Sequence, residues 1–178
     1  MVIGIDIGGT TTKLVGLEGG SPAQRLTVKA SDPVASASGA LGLLLDRARL
    51  DLAGIEKAVV TGMGAYAVGS SLIGIPVGKI DEFMAIGLGG LFLSELDRAI
   101  VVSMGTGTAI VRAEGERITH LGGSGGGGGT LLGLSKSILN VTDISTVVEL
   151  ARAGTLGNID LLIGDISRGA LGDLPADA

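Results

Sequence analysis

Val2-Ile3-Gly4-Ile5-Asp6-Ile7-Gly8-Gly9-Thr10-Thr11-Thr12-Lys13 opens the chain, and its plan returns at Ala99-Ile100-Val101-Val102-Ser103-Met104-Gly105-Thr106-Gly107-Thr108. In each stretch an apolar strand runs into a Gly/Thr turn, and a second strand follows at once. The first unit continues with strands around residues 13–17 and 25–30, the second with strands at 109–113 and 117–121. Glu18-Gly19-Gly20 and Glu114-Gly115-Glu116 supply the matching second turns. An internal repeat of this kind predicts two β-meanders of common design.

Outward from the first meander, Asp32 before Pro33 reads as an N-cap and first-turn pair, with an Ala/Leu-rich helix reaching about residue 50. Residues 57–61 read as a buried strand, 65–72 as a short helix and 75–80 as a strand. Glu82 then opens a helix to about residue 96. After the second meander come helices near 130–139 and 144–153, with no further strand-helix tail. The expected organisation is an α/β fold in two units, residues 1–97 and 98–178, the second incomplete.

Composition narrows the function. Glycine occurs 33 times in 178 residues, roughly 19% against about 7% in average proteins, and without a collagen period. Its clustering at two loops predicts close approach of backbone to a ligand. A net charge of −5 with no Lys/Arg run argues against nucleic acid as a partner. The absence of Cys removes disulfides, zinc-thiolate sites and thiol nucleophiles. The N-terminus enters a strand with no signal-peptide pattern, and the uncharged run 58–78 is broken by glycines and Pro76. No membrane partner and a cytoplasmic location are therefore expected.

The first turn carries the chemistry. Asp6 at a strand end can orient Mg²⁺ through water, Gly8 and Gly9 permit a tight turn with exposed N–H groups, and Thr10, Thr11, Thr12 and Lys13, with Ile7, are expected to meet the phosphates. It is neither a P-loop nor a dinucleotide-binding turn, because a strand follows it. The arrangement suits a nucleoside triphosphate. Gly105, Thr106 and Gly107, with Thr108, would present N–H groups and hydroxyls from the other side of a cleft. The run Gly122 to Thr130 enters an apolar helix, where free N–H groups of Gly127, Gly128, Gly129, Thr130 and Leu131 could hold anionic oxygens. An ordinary hairpin at the first turn and a flexible linker at the glycine run are the competing readings.

These motifs, with Ile80-Asp81-Glu82-Phe83 and His120-Leu121-Gly122-Gly123 through Gly129-Thr130-Leu131-Leu132-Gly133-Leu134, resemble type II pantothenate kinase, a family of the acetate and sugar kinase, heat-shock ATPase and actin superfamily. The first motif is shared with many sugar kinases; the glycine run entering Thr-Leu-Leu-Gly-Leu is more specific. The resemblance implies the duplicated βββαβα actin-like ATPase (ribonuclease H-like) fold. It implies transfer of the ATP γ-phosphate to the primary hydroxyl of pantothenate, the first step of coenzyme A synthesis, with ATP and Mg²⁺ as cofactors. Glu82 matches the family's catalytic carboxylate, and an attacking alcohol needs a base; Asp81 beside it is the competing choice, and either acid could simply complement the helix dipole. On the same resemblance Glu82, Thr106, Thr108 and His120 contact the acceptor, His120 its carboxylate. His120 could equally be a cross-strand surface residue.

The chain departs from the family at Ile144, where an aromatic ring is usual, and lacks a C-terminal segment that in the family completes the second domain, supplies much of the adenosine pocket and contributes to a homodimer. Two other readings stay open. A sugar or amino-sugar kinase would share the Asp6 motif but usually places an Asp base where this chain has Glu82. A non-catalytic nucleotide-binding or acyl-coenzyme-A-sensing protein would bind nucleotide without turnover.

Overall fold

The structure, a computed structural model, describes residues 1–178. Strand β1 (Val2–Ile7) pairs antiparallel with β2 (Thr11–Glu18), which pairs antiparallel with β3 (Ser21–Lys29). Helix α1 (Pro33–Ala48) follows, then β4 (Lys57–Thr61), β5 (Ser71–Leu72) and β6 (Ile75–Lys79). They form a six-stranded sheet of order β3-β2-β1-β4-β6-β5, with β1, β4 and β6 parallel. Helix α2 (Glu82–Ser94) leads to a three-stranded sheet, β7 (Arg98–Met104), β8 (Thr108–Glu114) and β9 (Arg117–Ser124), paired antiparallel in that order. Helices α3 (Gly128–Leu139), α4 (Ile144–Ala153) and α5 (Ile163–Ser167) complete the chain.

The first sheet is built by strict alternation. Ile3, Ile5 and Ile7 point to one face and are at most 1% exposed, as period-two patterning requires. Leu14, Leu26, Ala58 and Val60 join them from neighbouring strands. Helix α1 covers this face with Ala37, Ala40, Leu41 and Leu44, an i, i+3, i+4, i+7 stripe. Asp32 caps the helix, its Oδ1 accepting the Ala35 N–H at 2.8 Å, with Pro33 behind it.

Helix α2 is docked differently. Its contact face is Phe83, Gly87 and Gly90: a Cβ on Gly87 would lie 2.6 Å from Ile118, and one on Gly90 2.5 Å from Val101. These glycines let α2 lie directly on the second sheet, so it is attached to the sheet that follows it in sequence. The first sheet therefore ends with β6 and the second takes α2 with it; the chain divides into compact units at Leu131/Leu132. In the second unit Asp143 caps α4, its Oδ2 accepting the Thr146 N–H at 2.8 Å. The backbone near the end of the chain returns to α5, with Gly164 N–H donating to Ala176 O at 2.7 Å.

Two expected elements differ. Residues 65–72 do not form a helix: a 3-10 turn covers Met63–Ala67, and Ser71–Leu72 pairs with Ile75–Pro76 instead. Gly64 is wedged against Ile7 and Pro33, which holds the turn on the sheet. The glycine run is also shorter than a loop from Gly122 to Thr130. Gly122, Gly123 and Ser124 extend β9, opposite Ile110, Ala109 and Thr108, and Gly128 already starts α3. Backbone pairing needs no side chains, so glycines can continue a ladder. No single helix is long and apolar enough to cross a membrane.

Candidate functional site

The candidate site begins on the face of the first sheet opposite α1. Asp6 and Lys13 are cross-strand partners in the β1–β2 register, and Lys13 Nζ donates to Asp6 Oδ2 at 3.2 Å. Their side chains are 37% and 56% exposed, so the pair adds at most about 1 kcal/mol of stability and both groups stay open to a ligand. The intervening turn is closed by Gly8 N–H on Thr11 O at 3.0 Å. Gly9 and Thr10 are exposed at its tip.

Thr12, expected to contact phosphate, is turned away from it. It stands opposite Ile7 on the core face, fully buried, and its hydroxyl has no hydrogen-bond partner. The alternation that brings Lys13 to the site face sends Thr12 to the core. The Ile7 side chain is buried in the same core, leaving only its backbone for a ligand.

The second turn meets the first. Thr10 and Thr106 share a hydrogen bond between their hydroxyls at 2.8 Å, so the repeated Gly/Thr turns stand side by side. Gly105 N–H donates to Gly107 O at 2.8 Å, which tightens this turn. The glycine segment is then laid on it: a Cβ on Gly127 would lie 2.7 Å from Thr106 O and 2.8 Å from Gly107 Cα. Only a residue without a side chain fits.

Three of the N–H groups expected to be free at the start of α3 are in fact engaged. Gly128 donates to Gly105 O at 2.9 Å and Gly129 to Thr106 O at 3.0 Å. Thr108 Oγ1 donates to Gly126 O at 2.8 Å, and Thr130 Oγ1 to Gly125 O at 2.7 Å. Leu131 N–H is helical, bonded to Gly127 O at 3.0 Å. The glycine segment thus serves first to brace the Gly105–Gly107 turn, because its donors satisfy that turn's carbonyls.

Glu82 is the first residue of α2, and the neighbouring Asp81 is its cap: Asp81 Oδ1 accepts from Phe83 N–H at 3.0 Å and Met84 N–H at 3.1 Å. That separates the two acids, since Asp81 is committed to the backbone and Glu82 is free of such bonds. Glu82 is exposed by surface area, yet nearby protein strips part of its water. This desolvation, with the negative charges of Asp6 and Asp81, pushes its carboxyl above the usual range, while Lys13 pulls it down. The same influences place Glu82 in the field of the Asp6–Lys13 pair. His120, on β9, is exposed, and its ring stacks on Phe83 with centroids 4.0 Å apart and planes 12° from parallel.

Two features at the site lie outside the sequence-based expectations. Gly62, at φ +84°, follows β4, and a Cβ there would sit 2.5 Å from Asp6 Oδ1 and 2.7 Å from Ile7 O. Thr61 stands beside Asp6 in the parallel register, and its buried hydroxyl has no partner. The Thr-Gly pair at a strand end was the available signal.

The Fumble family profile matches residues 94–175. The chain is 29% identical over 175 residues to a type II pantothenate kinase of Bacillus thuringiensis subsp. konkukian, covering 95% of this chain and 60% of the relative. A type II pantothenate kinase of Staphylococcus haemolyticus is 29% identical over 184 residues, covering 99% of this chain and 64% of the relative. The chain thus spans about 60% of the length of such curated relatives. Among solved structures, the activator of the 2-hydroxyisocaproyl-CoA dehydratase from Clostridium difficile, with bound ADPNP, superposes with a TM-score of 0.67 at 21% identity, over 86% of this chain and 57% of that one. The chain is therefore a sequence relative of the type II pantothenate kinases, built on the α/β fold of the actin-like ATPases.

Proposed function

We propose that this chain carries the phosphate-handling part of an ATP-dependent kinase that phosphorylates pantothenate at its primary hydroxyl, giving 4'-phosphopantothenate. The observation that supports this best is the meeting of the two Gly/Thr turns at Thr10 and Thr106, with Glu82 in the field of Asp6 and Lys13.

In this reading the exposed turn Gly8–Gly9–Thr10 and the braced turn Gly105–Thr106–Gly107 hold the phosphate chain from two sides with N–H groups and hydroxyls. Lys13 neutralises charge on the γ-phosphoryl group as it transfers. Glu82 accepts the proton of the acceptor hydroxyl while that oxygen bonds to phosphorus and the bond to the β-phosphate oxygen breaks, releasing ADP. A carboxyl raised above its ordinary range is a better base than a free glutamate. Mg²⁺ is commonly held by one or two carboxylates, waters and substrate phosphates. Asp6 is the residue that would hold it, through water, and the bound ion would neutralise phosphate charge. On this reading His120 and Thr108 contact the acceptor, Thr108 with its hydroxyl already donated to Gly126 O.

A coupled ADP-release assay with MgATP and pantothenate, run beside a panel of sugars, tests the reading. Pantothenate-dependent turnover that falls about 10²- to 10⁴-fold in Glu82→Gln is expected. Turnover with a sugar in place of pantothenate, or turnover indifferent to Glu82, contradicts it.

A further inference from the structure

The register of α2 on the second sheet assigns a task to a residue with no polar chemistry. Phe83, Gly87 and Gly90 are spaced i, i+4, i+7 and so lie on one face of the helix. Their contacts are His120, Ile118 and Val101 in turn. Val101, Val111 and His120 form one cross-strand row of the second sheet, and Ala99, Ala113 and Ile118 the next. Along this face the seam between α2 and the sheet includes two glycines pressed on aliphatic side chains and one ring stacked on a ring.

Of these, the ring contact lies at the helix end that carries Glu82. The Asp81 cap satisfies the first N–H groups, but a cap does not set which way the first turn faces. Glu82 precedes Phe83, about 100° away around the helix, so with Phe83 held on β9 the Glu82 side chain is directed off the seam. That is the side on which it feels Asp6 and Lys13. Beside His120, β9 shifts register opposite Ile110 and Val111, leaving Leu121 unpaired, a bulge of the kind that re-aims a side chain near a site.

We propose that Phe83 is a positioning residue: stacked on His120, it fixes the first turn of α2 so that Glu82 reaches the acceptor hydroxyl. The inference rests on the kinase reading above and deepens it. His120 then acts through its ring face, as the partner of Phe83, whatever its ring nitrogens contact.

Steady-state kinetics on the full chain, with NMR of the His120 ring protons, tests this. In the wild type those protons resonate upfield under the Phe83 ring current, and Phe83→Ala moves them back towards a free histidine. Phe83→Ala lowers kcat roughly 10- to 100-fold, because small misplacements of reacting groups are costly, and leaves KM for MgATP unchanged. Phe83→Tyr keeps the ring and restores kcat. The double variant Phe83→Ala/His120→Ala loses no more than the worse single variant, as for residues acting through one contact. Undiminished kcat in Phe83→Ala, or additive losses in the double variant, overturns the inference alone. A wild-type chain without pantothenate-dependent turnover overturns the kinase reading, and the inference falls with it.

Discussion

The two meanders of this protein share a strand plan and differ in what covers them. In β1, Ile3, Ile5 and Ile7 are 0–1% exposed, whereas the β7 residues Ile100, Val102 and Met104 are 56%, 49% and 80% exposed. The first sheet has α1 on its apolar face and β4 beside β1. The second has α2 on one face, leaves Ile100 and Val102 of the other exposed, and pairs no strand with the outer edge of β7. All buried hydrophobic residues except Val111 and Ala113 belong to the first sheet and its surroundings. Similar sequences thus make a closed core in one place and a half-covered platform in the other, and the turns of both meet at Thr10 and Thr106.

The sharpest way to break this comparison is mutation of matched positions. Ile5→Ala or Leu41→Ala should cost about 2–5 kcal/mol, whereas Ile100→Ala on the open face should stay within about 1 kcal/mol; denaturant melts of the three variants give the contrast. Equal losses would mean that the open face is covered in solution.

The seam beneath α2 sharpens the comparison with a smaller effect. Gly90→Val should cost about 1–3 kcal/mol, since its Cβ would collide with Val101. Gly89, which a Cβ would leave without contacts within 4 Å, should accept Ala with a gain of roughly 0.5–1 kcal/mol from helix propensity. Thermal melts that rank these two variants the other way would reverse the assigned contact face.

A third prediction concerns pH. Glu82 is raised chiefly by desolvation and then by Asp6 and Asp81, so the acidic limb of turnover should lie above that of an ordinary carboxylate. In a carboxyl NMR titration, Asp6→Asn should lower the Glu82 transition and Lys13→Met should raise it. The smallest effect is on stability. A carboxyl whose folded pKa is raised contributes most in acid, and this contribution is lost as pH rises through the folded pKa. Glu82→Gln should therefore be slightly more stable than wild type at neutral pH, within about 0.5 kcal/mol, with the gain fading in acid.

Much of this was legible in the sequence because alternation carries geometry. The pattern Val2 to Lys13 places Asp6 and Lys13 on one face across a turn, and the echo at residues 99–108 predicts the second turn. The same alternation, applied strictly, would have removed Thr12 from the phosphate contacts. Other features were not legible because they arise from packing. The segment after Gly62 has residues compatible with a helix, but Gly64 is held against Ile7 and Pro33, elements far from it in sequence. The glycine run looks like a free loop in one dimension, yet its strand portion is recruited by β8 and its helix-start donors by the Gly105–Gly107 turn. The Phe83–His120 stack depends on the register of α2 on β9, which neither residue signals by itself.

The most direct test of the central claim, that the two turns grip one phosphate chain, is an amide NMR titration of the protein with Mg²⁺ and a non-hydrolysable ATP analogue. The account predicts that resonances of Gly8 to Thr11 and of Gly105 to Thr108 shift together with one dissociation constant. Shifts confined to one turn, or to neither, would contradict it.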